Sequence, residues 1–155
     1  MIFIKNRYLF LMIGVSLVFI FSCKKNNNST TAPLPVSRWT INGVTDSSST
    51  VSAANNMNFV CLTSDQQKSI SINFDTTVVR SYTYRVSDVL QDSTECTMIV
   101  NDGDSSFYMS TGKVGDSLYE NFSNHIITFT FNNISVHNNS NIVLVSGVLS
   151  FQSVY

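Results

Sequence analysis

Hydrophobic side chains recur along this chain with two rhythms. Over residues 8–21 they run almost unbroken, with Ser16 and one glycine, Gly14, as the interruptions. Beyond residue 36 they alternate with Ser, Thr and Asn. Alternation sends every second side chain to one face, which is the period of a half-buried strand. The cleanest case is Ile70, Ile72 and Phe74, set between Ser69, Ser71, Asn73 and Asp75. Met57, Phe59 and Cys61 give the same pattern, as do Tyr82, Tyr84 and Val86, and Cys96, Met98 and Val100. Ile127, Phe129 and Phe131 open a strand that continues through Ile134 and Val136. Val143, Val145, Gly147, Leu149 and Phe151 share one face of a long final strand, where Gly147 marks a bulge or a close backbone crossing.

Turn chemistry separates these runs. Asn42-Gly43, between Ile41 and Val44, predicts a tight hairpin. Residues 46–50 read as a serine-rich loop, 64–67 as a break and 87–93 as a loop or short helical turn. Asn101-Asp102-Gly103-Asp104 turns the chain into a return strand over 107–110. Residues 111–116 form a connection, and 138–141 a polar turn. No segment keeps a 3.6-residue period over three turns. Eight or nine short strands with turns between them predict an all-β domain over residues 37–155. The expected architecture is a mostly antiparallel β-sandwich, with a barrel-like closure as the alternative. Trp39, the only tryptophan, belongs in the core of the first strand.

The unbroken apolar run belongs to a different element. Lys5 and Arg7 precede it, and no acid does. Its fourteen residues fall short of the ~20 that a spanning helix needs. A basic start followed by a short apolar stretch is the pattern of a secretory signal. The run ends at Ile20-Phe21-Ser22-Cys23, and residues 24–36 are polar, rich in Asn, Ser and Thr, and closed by Pro33 and Pro35. That composition predicts a flexible tether over residues 23–36.

Composition narrows the partners. Losing Lys5 and Arg7 with residues 1–22 takes Lys+Arg from 9 to 7 against 10 Asp+Glu, a net charge of about −3. A mildly acidic chain lacks the basic footprint of nucleic-acid binding. Beyond Cys23, the cysteines are Cys61 and Cys96, an even pair that permits a disulfide in an exported protein; the alternative is two buried free thiols.

A small residue directly before Cys23, at the end of the apolar run, resembles the lipobox of bacterial lipoproteins. The resemblance implies that Cys23 takes a diacylglycerol thioether and becomes the mature N-terminus. It implies an outer-membrane location held by lipid, on either the periplasmic or the cell-surface side. The succession of Trp39-Thr40-Ile41-Asn42-Gly43, the 69–74 strand, the 81–84 strand, the 127–131 strand and the 145–151 strand is similar to small all-β lipoproteins of Bacteroidetes. Ile127 stands where that pattern usually has glycine. The resemblance implies a fold and no activity.

Candidate chemistry is sparse. The two histidines, His125 and His137, sit near strand ends without a nucleophile elbow such as G-x-S-x-G. No His/Cys/acid cluster has metal-ligand spacing. Asp102-Gly103-Asp104 lacks the alternating acids and closing Glu of a calcium loop. The only glutamates, Glu95 and Glu120, lie in separate segments and do not announce a glycosidase pair. No catalytic residue, metal or cofactor is expected. Asp75-Thr76-Thr77, Asp92-Ser93-Thr94 and Asp116-Ser117-Leu118 resemble the O-glycosylation triplet of Bacteroidetes, which makes Thr76, Ser93 and Ser117 candidate acceptors. Tyr82, Tyr84, Phe107, Tyr108 and Tyr119 offer either a sugar-stacking face or core rings. The expected role is a non-catalytic binding or structural module on the envelope. The alternative is an accessory component of a nutrient-uptake system that binds a glycan or another envelope protein.

Overall fold

The structure is a computed structural model that describes residues 34–48, 50–78, 80–103, 107–139 and 141–153. The compact unit is Pro33–Tyr155. Its described elements are all strands: β1 Arg38–Ile41, β2 Val44–Ser47, β3 Thr50–Ala54, β4 Asn58–Leu62, β5 Lys68–Phe74 and β6 Tyr82–Val86. They continue as β7 Glu95–Asp102, β8 Phe107–Ser110, β9 Ser117–Ser123, β10 Ile126–His137 and β11 Ile142–Gln152.

The expectation of eight or nine strands is too low, because the described residues form eleven. β2 and β3 replace most of the serine-rich loop, and β9 had no apolar signature strong enough to announce it. The pairing joins all eleven strands in one mixed sheet, in the order β2-β1-β11-β10-β9-β6-β7-β5-β4-β3. β8 pairs with both β7 and β10, so pairing runs round a circuit of β10, β9, β6, β7 and β8. Every pair is antiparallel except β6 with β7.

The sheet does not lie flat. By the shorter route through β8, β4 stands four pairings from β10. At ~4.8 Å per strand that would separate them by roughly 19 Å. Yet the rings of Phe59 on β4 and Phe129 on β10 have centroids 4.8 Å apart, and Phe59 and Phe151 on β11 are 4.9 Å apart. Phe74 on β5 stacks on Phe129 at 5.5 Å. The sheet therefore folds over on itself, and the apolar faces of its two halves meet. The alternating residues named above fill the space between them: Phe59, Ile70, Ile72, Met98, Val100, Ile127, Phe129, Leu149 and Phe151 are all fully buried.

Turns with two successive residues in the left-handed region close three hairpins. Asn42 (φ 47°) and Gly43 (φ 85°) join β1 to β2, as Asn-Gly predicts. Asn55 and Asn56 (φ 52° and 49°) join β3 to β4, and Asn124 and His125 (φ 53° and 60°) join β9 to β10. Asparagine tolerates this conformation because its short polar side chain offsets the strain.

Gly147 answers its expectation on both counts. The register of β10 against β11 shifts between Phe131 and Ile134, with Asn132 and Asn133 opposed by Ser146. The Asn133 N–H donates to Ser146 Oγ at 2.8 Å, and Asn133 takes φ 53°. Beside this bulge Gly147 lies between Trp39 and Phe131 in the cross-strand row. A Cβ there would stand 2.7 Å from the Arg38 carbonyl oxygen and 2.9 Å from Phe131 Cζ. Backbone cannot yield as a side-chain tip can. Gly147→Ala is therefore expected to destabilise the domain by about 1–3 kcal/mol in urea unfolding. Val148→Ala, on the exposed face one residue on, should stay within about 0.5 kcal/mol of the parent.

Candidate functional site

Cys23 lies outside the described residues. Cys61 and Cys96 are both buried free thiols. Their places in the sheet explain why no bridge joins them. Cys61 on β4 faces Ile70 on β5, and Ile70 faces Val100 on β7, four residues beyond Cys96. Two strand spacings and four residues of rise give roughly 16 Å between the two Cα atoms, well past the ~7 Å reach of a disulfide. The disulfide that an even pair permitted is thus not formed. Burial pushes the Cys61 thiol up to about 11 and the Cys96 thiol up to about 12, so neither is a thiolate nucleophile.

The candidate glycan acceptors Thr76, Ser93 and Ser117 are all exposed. Asp92 is occupied locally, since its Oδ1 accepts from the Thr94 N–H at 2.7 Å and the Thr94 hydroxyl at 2.5 Å. Asp116 is buried, and its Oδ2 accepts from the Ser135 N–H at 2.8 Å. Asp102 Oδ1 and Asp46 Oδ2 each meet the Lys68 ammonium at 3.2 Å, so a lysine supplies the cation at the Asp-Gly turn. His125 sits in the β9–β10 turn, and His137 ends β10. Among the described residues no group of three metal-ligating side chains converges.

The expected aromatic row divides between core and surface. Tyr84 and Tyr108 are buried, and Tyr82 is half-buried against the core. Only Phe107 and Tyr119 remain exposed. Phe107 belongs instead to the outer face of the other half of the sheet. There Val60, Ser71, Ile99, Met109, His137 and Ile142 are successive cross-strand partners from β4 to β11. Phe107 flanks Met109 on β8, and both are about half exposed, at 57% and 50%.

The most distinctive chemical group is one that alternation alone did not single out. Glu120 occupies the inward phase of β9, between Leu118 and Phe122, and is fully buried. It pairs across the sheet with Tyr82 and Phe129. Its Oε2 accepts from the Tyr84 hydroxyl at 3.0 Å, and its Oε1 from the Arg80 N–H at 3.2 Å. The Arg80 guanidinium lies 4.6 Å over the Tyr82 ring. Burial pushes the Glu120 carboxyl up to about 7, against the opposing pull of the Tyr84 and Arg80 hydrogen bonds. Burial and the Glu120 charge push Tyr84 up to about 12. The signal in the sequence was the phase of Leu118-x-Glu120-x-Phe122, which puts an acid where an apolar residue belongs.

Glu95 is the other buried glutamate. It opposes Arg85 across the parallel β6–β7 pair and forms an ion pair with its guanidinium. Its Oε2 accepts from the Gln91 N–H at 2.8 Å. Chemically, both glutamates bind backbone of neighbouring connections.

Comparison of the chain with known protein families, with characterised proteins and with solved structures finds no match.

The Glu120 carboxyl makes stability depend on pH in a definite direction. Folded, it holds its proton up to about pH 7; its ordinary value is 4.5. The folded chain therefore binds the extra proton between these values, and its contribution to stability is complete below pH 4.5 and lost as pH rises through 7. The melting temperature should fall between pH 5.5 and pH 8, by an amount on the order of 2 kcal/mol in stability. Glu120→Gln should flatten that slope and gain stability relative to the parent at pH 8. A slope unchanged by the substitution would assign the effect to another group. Separately, both Cys61 and Cys96 should take up iodoacetamide in denaturant without reductant, and neither should do so in the folded chain, as read by peptide mass.

Proposed function

We propose that this chain is an envelope lipoprotein: a lipid on Cys23, a polar tether over residues 23–36, and an all-β domain that serves as a non-catalytic binding or structural module. The observation that carries the reading is the border at Ser22-Cys23, where fourteen apolar residues give way to Lys24-Lys25-Asn26-Asn27-Asn28. A thiol at that point is the nucleophile that lipid transfer needs. Each buried methylene then contributes about 0.8 kcal/mol, so two or more acyl chains hold a protein stably. Lys24, where such lipoproteins carry Asp for inner-membrane retention, favours the outer membrane, and the sandwich-like reading of the folded-over sheet fits a compact head on a leash.

The non-catalytic part is supported by how the domain uses its acids. Glu95, Glu120 and Asp116 each accept a backbone N–H from a neighbouring segment, which commits them to holding the chain together. The alternative of a glycan-binding accessory relied on an exposed row of tyrosines; Tyr84 and Tyr108 are buried and Tyr82 is half-buried, which weakens that support. The protein-binding form of the alternative draws instead on the outer row through Val60, Ile99 and Met109.

Metabolic labelling with an alkyne analogue of palmitate tests the anchor. The parent chain should carry label and partition into the detergent phase of a Triton X-114 extraction. Cys23→Ala should lose the label and retain residues 1–22 on intact mass. An unlabelled parent with residues 1–22 still attached would overturn the reading.

A further inference from the structure

The two ends of the strand order are not alike. β2 is four residues long and carries Asp46, bound to Lys68. A charge on a short edge strand discourages pairing with another chain. β3 at the other end has the sequence TVSAA and pairs only with β4. It is one residue longer than β2 and has no charge, proline or bulge, so it lacks most of the devices that protect an edge.

Hydrogen bonds on β4 determine which main-chain groups of β3 face outward. The Phe74 N–H donates to the Met57 carbonyl at 2.9 Å, and the Thr63 N–H to the Lys68 carbonyl at 3.0 Å. Residues 57, 59, 61 and 63 thus turn their main-chain groups toward β5, which leaves Asn58, Val60 and Leu62 facing β3. Their partners there are Ala54, Ser52 and Thr50. Main-chain groups alternate along an antiparallel strand, so Val51 and Ala53 aim their N–H and C=O groups away from the sheet. No hydrogen bond from a described residue reaches these groups. The set is symmetric about Ser52. The side chains beside it on the outer face, Thr50, Ser52 and Ala54, are small and exposed.

We propose that β3 is a self-association edge, where two copies of this chain pair their β3 strands antiparallel about a two-fold axis through Ser52. Val51 of each copy then exchanges main-chain hydrogen bonds with Ala53 of the other, and Ser52 faces Ser52. The occupant is a second copy because the edge is its own complement. The rotation that superposes the two strands brings each outward donor onto an outward acceptor, with no charge to repel its counterpart. A two-fold contact closes on itself and ends at the dimer.

Cross-linking of the full chain in a Cys23→Ala background tests this without relying on the lipid anchor. Ser52→Cys should give a covalent dimer on non-reducing electrophoresis at micromolar concentration, since facing residues in a non-hydrogen-bonded pair lie about 4.5 Å apart. Thr50→Cys should stay monomeric, because the two copies of residue 50 would stand roughly 13 Å apart. Adding Ala53→Pro to Ser52→Cys removes an outward N–H and no ladder bond. It should cut the cross-link at least tenfold while the circular dichroism spectrum stays that of the parent. A monomeric Ser52→Cys chain would overturn the proposal. So would equal cross-linking by Thr50→Cys, or cross-links mainly to a different protein.

Discussion

Phe59 touches three other phenylalanine rings at once: Phe74 at 5.9 Å, Phe129 at 4.8 Å and Phe151 at 4.9 Å, all close to edge-on. Such contacts add to the burial of the rings themselves. Phe74 is on the neighbouring strand β5, but Phe129 and Phe151 come from β10 and β11, far from β4 in the order of the sheet, so they can meet Phe59 only if the sheet bends over. Once it bends, the rest is constrained. Inward residues must be apolar or internally paired, and β1 must press closely on β11. Gly147 leaves room for the Arg38 carbonyl and the Phe131 ring at that crossing.

A bent sheet must also route its connections across its ends, where backbone groups lose their ladder partners. Buried polar groups need partners of their own. Here carboxylates supply many of them. Glu120 receives the Arg80 N–H, Glu95 the Gln91 N–H and Asp116 the Ser135 N–H. Hydroxyls do the same elsewhere: the Ser110 hydroxyl donates to the Ser87 carbonyl, and Ser37 Oγ accepts from the Ser150 N–H at 2.8 Å. The abundance of serine in the chain thus serves the seams of the sheet as well as its wet face. Trp39 is the exception, with a buried Nε1–H that meets no acceptor among the described residues.

Strands with strong alternation are legible in the sequence. Ile70, Ile72 and Phe74 are buried as their phase requires, and Val143, Val145, Leu149 and Phe151 share the inward face of β11. The elements that escaped had weaker patterns for physical reasons. β2 and β3 are edge strands that bury little, so Ser and Thr suffice there and read as loop. β9 puts Glu120 in an inward position, which breaks the apolar rhythm although Leu118 is buried. The same inward acid hid a carboxyl that burial pushes up to about 7. An acid is read as exposed unless Tyr84 and the Arg80 backbone are known to meet it. The tyrosine row failed as a surface because alternation says which residues share a face, not whether that face is covered.

What the sequence by itself determined is local: the strand period, the Asn-Gly turn, the apolar leader that stops at Cys23 and the absence of clustered catalytic motifs. These depend on neighbours a few residues away. Strand order, the parallel β6–β7 pair, the separation of Cys61 from Cys96 and the outward set of main-chain groups on β3 came only from the tertiary structure. Each depends on which distant strands become neighbours. Alternation makes every strand of this chain compatible with many partners, and packing of a few large rings selects among them.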